Sequence, residues 1–193
     1  ITTSTIGSFT TIALASIAEY SFDNTYNNFS GTNPFQTNAG TSFTTDRNGN
    51  ANSAININNS GTIATITGLP YGGSARTISV WAKMNVLNNQ INYVFHYGNA
   101  ANGNGLALRP ATTLYFANAA ANLETADTNT VNTWVHYVCT YDGTTAIVYK
   151  NGVLFSSGAK TFNTVNNSNF FKLGMAENGS LNFFNGAIDD LKI

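Results

Sequence analysis

Hydrophobic and polar residues alternate with a period of two along most of the chain, in short runs broken by Asn-Gly, Asp-Gly and Gly-Gly pairs. That period marks strands with one face in a core, and no segment of ten or more residues carries the 3.6-residue period of an amphipathic helix. The pattern predicts strands at 18–22, 54–57, 62–66, 77–84, 91–97, 106–109, 113–117, 134–141, 145–150, 153–157, 170–175 and 183–193. The signal is sharpest between 134 and 157, where Asp142-Gly143 and Asn151-Gly152 supply the positive φ of tight hairpin turns and predict a three-strand antiparallel meander. Asn48-Gly49, Gly72-Gly73, Asn102-Gly103, Asn178-Gly179 and Asn185-Gly186 mark further turns. Around a dozen strands hide their apolar faces best as two antiparallel sheets packed face to face, an all-β jelly-roll sandwich. Residues 16–193 read as one domain, and 1–15 as a Ser/Thr-rich lead-in or edge strand.

Composition narrows the partners. Only 9% of the 193 residues are charged, with a net charge of −1, and the polarity comes from 30 Asn and 26 Thr. Eight Lys and Arg spread from Arg47 to Lys192 form no basic stripe able to displace counterions from a phosphate backbone, so nucleic acid is not an expected partner. A polybasic membrane anchor is excluded on the same ground, and no apolar run reaches the ~18 residues that span a bilayer. The start at Ile1 without Met implies a piece of a larger protein. Cys139 is alone, cannot form an intrachain disulfide, and sits in an alternating strand as an expected core thiol.

Six segments in order resemble landmarks of the laminin G-like, concanavalin A-like jelly-roll domains. They are Glu19-Tyr-Ser-Phe-Asp23, Thr45-Asp-Arg-Asn-Gly-Asn-Ala-Asn-Ser-Ala54, Thr77-Ile-Ser-Val-Trp-Ala-Lys83, Trp134-Val-His-Tyr-Val-Cys-Thr-Tyr-Asp-Gly143, Val148-Tyr-Lys-Asn-Gly152 and Phe184-Asn-Gly-Ala-Ile-Asp-Asp-Leu-Lys-Ile193. The resemblance implies a non-catalytic carbohydrate-binding or adhesion module of a larger secreted or cell-surface protein, typically bacterial. A protein-binding or spacer module is the alternative, and a divergent polysaccharide-degrading enzyme a third, because one fold hosts many functions.

The acids argue against the enzyme. A retaining glycosidase needs two carboxylates about 5 Å apart, and glycosidases resembling this fold carry them as Glu-x-Asp-x-x-Glu on one strand. None of Glu19, Asp23, Asp46, Glu124, Asp127, Asp142, Glu177, Asp189 and Asp190 completes that spacing. Alternation also puts Glu124 and Asp127, and the adjacent Asp189 and Asp190, on opposite faces. No Gly-x-Ser-x-Gly or His-Glu-x-x-His motif is present, and no catalytic residue is expected.

The resemblance also implies a structural Ca²⁺ held by Asp23 and Asp189, one acid in the first strand and one in the last, with loop carbonyls near Gly31 or Gly40. Asp46-Arg-Asn-Gly-Asn50 lacks the distal Glu of a calcium loop and reads as a turn. Sugar recognition uses aromatic rings and amides. The candidate ligand residues are Tyr93, Tyr97 and His96 on the strand at 91–97, with Tyr115 on 113–117, toward a polysaccharide or glycan partner. Trp81 and Trp134 read as core residues at landmark positions.

Overall fold

The computed structural model describes residues 15–86, 92–99, 105–117, 121–176 and 183–193. The lead-in at 1–14 and the turns at 102–103 and 178–179 lie outside the described residues. Fourteen strands are assigned: β1 (Glu19–Tyr20), β2 (Thr41–Thr44), β3 (Ala54–Ser60), β4 (Thr62–Thr65), β5 (Arg76–Met84), β6 (Phe95–Tyr97), β7 (Leu106–Arg109), β8 (Thr113–Ala117), β9 (Leu123–Ala126), β10 (Trp134–Tyr141), β11 (Thr145–Lys150), β12 (Val153–Ala159), β13 (Phe170–Leu173) and β14 (Phe184–Lys192). The described residues contain no α-helix.

The strands form two antiparallel sheets. The larger has the order β12-β11-β10-β5-β14-β3-β2, with β1 paired to the end of β14, and the smaller has β4-β13-β6-β7-β8-β9. The meander β10-β11-β12 is present, and its second turn is a close fit to the sequence: Asn151 and Gly152 both have positive φ, 52° and 79°. Two strands escape the alternation pattern. Thr41–Thr44 and Leu123–Ala126 are four-residue edge strands, one on each sheet, too short for alternation to reveal them. The strand expected at 91–97 shortens to Phe95–Tyr97.

Alternation decides the layers. Ile78, Val80, Ala82 and Met84 of β5, with Val135, Tyr137, Cys139 and Tyr141 of β10, point inward and are buried. From the smaller sheet Phe95, Tyr97, Leu108, Leu114, Phe116 and Phe171 meet them. The aromatic centre is tight: Phe171 stacks on Phe95 at 5.6 Å and on Tyr97 at 5.7 Å, while Phe162 meets Phe116 edge-on at 5.2 Å. Cys139 is fully buried as a free thiol, and burial pushes its pKa up, which removes its nucleophilic character.

Candidate functional site

The intervening residues of β5 and β10 point outward. Ser79 and Trp81 alternate with the core positions of β5, and Trp134 and His136 do the same on β10. Both tryptophans are therefore on the outer face of the large sheet and only half-buried, which corrects their expected place in the core. The register explains it: Trp81 lies opposite His136 on one side and Asp189 on the other, so the three form a row across the central strands.

That row is built from ring and charge contacts. The Trp81 and His136 rings stack at 4.8 Å, nearly parallel at 16°. His136 Nε2 is 2.8 Å from Ser79 Oγ, and burial together with the positive charge of Arg47 lowers its pKa. Arg47 reaches over from the turn after β2, its guanidinium 4.8 Å from the Trp81 ring centroid. It donates to Asp189 Oδ2 and Asp190 Oδ2 at 2.6 Å each, so one planar fork holds two consecutive carboxylates. Strict alternation would have put those acids on opposite faces. A register shift between Asp189 and Lys192, with Asp190 at φ 43°, turns Asp190 back toward the arginine.

Beside this row lies a cleft of about 600 Å³. Ser79, Trp81 and His136 line it from the sheet, Glu19, Asp190 and Lys192 from β1 and β14, and Asn27 and Phe29 from the loop that follows β1. Phe29 is 92% exposed, an unusual state for the ring that loses most by facing water. Its backbone is anchored nonetheless, because its N–H donates to the Glu19 carbonyl at 2.7 Å. Asn28 is buried and its Oδ1 accepts from the backbone N–H groups of Ser30 and Thr32, which ties the loop on the other side. The Glu19 carboxylate is ion-paired to Lys192 at 2.6 Å, and that hydrogen bond, with a second from Ser16, lowers its pKa.

The expected calcium ligands come to one place and still make a poor cation site. Asp23, Asp46, Asp189 and Asp190 all line a cavity of about 200 Å³, but Arg47 lines it too. Calcium takes six to eight oxygens. Here Arg47 holds Asp189 and Asp190, while Asp46 Oδ1 accepts from the backbone N–H of Asn48 and of Asn50 at 2.8 Å each. Neither Gly31 nor Gly40 lines this cavity, and among the described residues no group of three or more His, Cys, Asp or Glu could hold a metal. These residues do not fit a calcium ion; the guanidinium supplies positive charge where the cation was expected. Burial and the neighbouring Asp190 push the Asp189 carboxyl up to about 7 against the pull of Arg47.

The other expected ligand residues lie on the small sheet or, for Tyr93, just before its strand β6, and divide into two groups. Tyr93 and Tyr115 are half-exposed and flank Arg109, whose guanidinium is 5.6 Å from the first ring centroid and 4.4 Å from the second. Tyr97 and His96 are buried, at 0% and 3% exposure, and neither offers a surface to a ligand. Tyr97 is a core residue because its hydroxyl closes a polar knot: it donates to the Pro70 carbonyl at 3.0 Å and accepts from the buried Arg76 at 3.0 Å. Its side chain points inward with Phe95, as the alternation implies. His96 packs at 6.0 Å from the Tyr93 ring, and burial plus the charges of Lys172 and Arg109 lower its pKa to about 4.

Sequence comparison then gives the family. A family model described as the concanavalin A-like lectin/glucanases superfamily, laminin G type, matches residues 48–193. The chain belongs to that superfamily. No curated protein matches it by sequence. Among solved structures, this superfamily member is similar to domain 4 of AbnA, a GH43 extracellular arabinanase from Geobacillus stearothermophilus, solved in complex with arabinotriose: 21% identity, TM-score 0.70, covering 92% of this chain and 90% of that one. It is similar also to the binding domain of botulinum neurotoxin serotype G, at 17% identity and TM-score 0.70, covering 92% of this chain but 47% of the toxin domain. The binding domain of botulinum neurotoxin DC, solved with SialylT, matches at 16% identity and TM-score 0.67, again over 92% of this chain and 47% of that one. These likenesses establish the jelly-roll fold. Among the described residues, no helix is long and apolar enough to cross a membrane.

Proposed function

We propose that the chain is a non-catalytic, extracellular carbohydrate-binding module, and that the cleft below Phe29 is its glycan site. The observation that carries this reading is the pre-positioned, 92% exposed Phe29 over a polar floor of Ser79, His136 and the Trp81 edge. An exposed ring offers an apolar face to the C–H side of a sugar, while Asn27, Ser79 and Asp190 offer donors and acceptors for hydroxyls. A cleft of about 600 Å³ lies within the range of small-ligand sites. The Trp81 ring is already engaged by stacking with His136 and by the Arg47 guanidinium over it, so Phe29 is the stacking surface and Trp81 the wall. Fixing the loop before the ligand arrives lowers the ordering cost of binding.

The acids support the absence of catalysis. Asp189 is 2% exposed and ion-paired, Asp127 is tied to Lys150 at 2.6 Å, and Glu124 is exposed on β9. The likenesses to an arabinanase domain solved with arabinotriose and to toxin binding domains support the carbohydrate reading. A glycan array probed with the folded chain tests it: neutral oligosaccharides are expected to bind, and to bind at least about tenfold more weakly to Phe29→Ala, a loss of about 1.4 kcal/mol. A Phe29→Ala chain that binds the same glycans equally well would refute the placement.

A further inference from the structure

On the opposite side of the sandwich, Arg109 ends β7 with its guanidinium between the rings of Tyr93 and Tyr115. The other two arginines are held by oxygens: Arg47 by Asp189 and Asp190, and Arg76 by the carbonyls of Ser74 and Gly72 with the hydroxyls of Tyr97 and Thr164. Among the described residues no carboxylate lies within ion-pair distance of Arg109, and its Nε–H is buried without a hydrogen-bond partner. His96, whose ring contacts Tyr93, and Asn92, the residue before Tyr93, each carry a buried nitrogen without a hydrogen-bond partner, Nδ1 and Nδ2. Buried donors left without acceptors are rare in folded proteins and costly. The unpaired Nε leaves the guanidinium short of an acceptor that the described residues do not supply, while His96 and Asn92 are themselves too buried to meet a ligand.

The charges indicate its sign. His96 lies in register with Lys172 of β13 on one side and with Ala107 of β7, two residues from Arg109, on the other. Lys172 and Arg109 both repel a proton from His96, so the local potential is positive. The nearest acid by register is Glu124, opposite Tyr115 on β9; it is exposed and its Oε1 accepts from Asn122 Nδ2 at 3.2 Å. We infer that Tyr93, Arg109 and Tyr115 form a second binding site that takes the carboxylate of an acidic sugar, the guanidinium gripping the carboxylate and the tyrosine rings flanking the pyranose. A planar guanidinium matches a carboxylate with two parallel hydrogen bonds, which a lysine cannot reproduce. The inference extends the carbohydrate reading to acidic glycans but uses residues on the other sheet, so the two can fail separately.

The test is calorimetric titration of the whole chain with trigalacturonate and with 3′-sialyllactose, against lactose as the neutral control. Either acidic sugar is expected to bind, with affinity falling as salt rises, and to lose at least about tenfold in both Arg109→Gln and Arg109→Lys. Phe29→Ala is expected to leave acidic-sugar binding unchanged. The uronate and sialate arms separate the two sources of the carboxylate. Absence of binding by both acidic sugars overturns the inference, whatever the neutral glycans do. So does equal binding by a folded Arg109→Lys chain, which keeps the charge and loses only the planar fork, or loss of acidic-sugar binding in Phe29→Ala.

Discussion

On the large sheet Arg47 lies over one ring, Trp81, and forks between two carboxylates; on the small sheet Arg109 lies between two rings, Tyr93 and Tyr115, and has no carboxylate partner among the described residues. The ring contacts are alike, with guanidinium carbon to centroid distances of 4.8 Å in the first case and 4.4 and 5.6 Å in the second. What separates them is the acid. A cation–π contact contributes roughly 0.5–1 kcal/mol at an exposed position, whereas removing one partner of a buried ion pair costs several times that. Arg47 is therefore tied into the framework by charge, whereas Arg109 is held among the described residues by ring contacts alone.

The sharpest way to break that contrast is to truncate both arginines. Arg47→Ala leaves Asp189, 2% exposed, without its guanidinium and is expected to lower unfolding free energy by about 3 kcal/mol in urea denaturation. Arg109→Ala is expected to cost less than about 1 kcal/mol. Adding Asp189→Asn to the Arg47→Ala chain is expected to recover part of the loss, since a neutral amide spares the fold the burial or protonation of that carboxyl. Equal losses for the two single variants would dissolve the distinction.

A second measurement concerns the small sheet's buried histidine. His96 is held neutral in the fold, down to about 4 from 6.5, so the unfolded chain binds a proton that the folded chain does not between those pH values. Stability from this group is present above about pH 6.5 and is lost as pH falls toward 4, by on the order of 3 kcal/mol in all. Asp189 slopes the other way, because its pKa is raised to about 7 and the fold favours its protonated form. The readout is therefore the difference between the parent and His96→Gln stability curves; a difference that does not change between pH 4 and 6.5 would contradict the burial of a neutral imidazole.

Smaller effects sharpen the large-sheet account. Phe29→Ala is expected to change stability by no more than about 0.5 kcal/mol, since a ring already in water gives up little burial. Chelator and added calcium are expected to leave the melting temperature unchanged, because Arg47 already engages the acids that calcium would need. A calcium-dependent rise of several degrees would show that the carboxylates can rearrange around a divalent ion.

Much of this architecture was legible in the amino-acid sequence, and the failures have identifiable causes. The meander from β10 to β12 was readable because Asn-Gly and Asp-Gly turns punctuate clean alternation. The short edges β2 and β9 were not, since four residues carry too little pattern. Trp81 was readable in principle: it shares the odd-numbered face of β5 with Thr77, Ser79 and Lys83, none of them a core residue, yet size and landmark position argued for the core. Phe29 had no signal, because a lone aromatic in an Asn-rich loop resembles any other until its exposure is known. The Asp189–Asp190 pair was misplaced because strict alternation cannot anticipate a bulge with positive φ. Arg47, in a turn, and Asp189, near the end of the chain, are 142 residues apart, and only the fold joins them.

The most direct test of the glycan site is a titration with arabinotriose, cellotriose and laminaritriose followed by ¹H–¹⁵N NMR on the parent and Phe29→Ala chains. Saturable shifts are expected for at least one neutral trisaccharide, centred on the Trp81 indole N–H and the amides of Asn27 to Phe29, and weakened at least about tenfold by Phe29→Ala. Folded protein that shows no saturable shift with any of the three, or shifts confined to the small sheet, would contradict it.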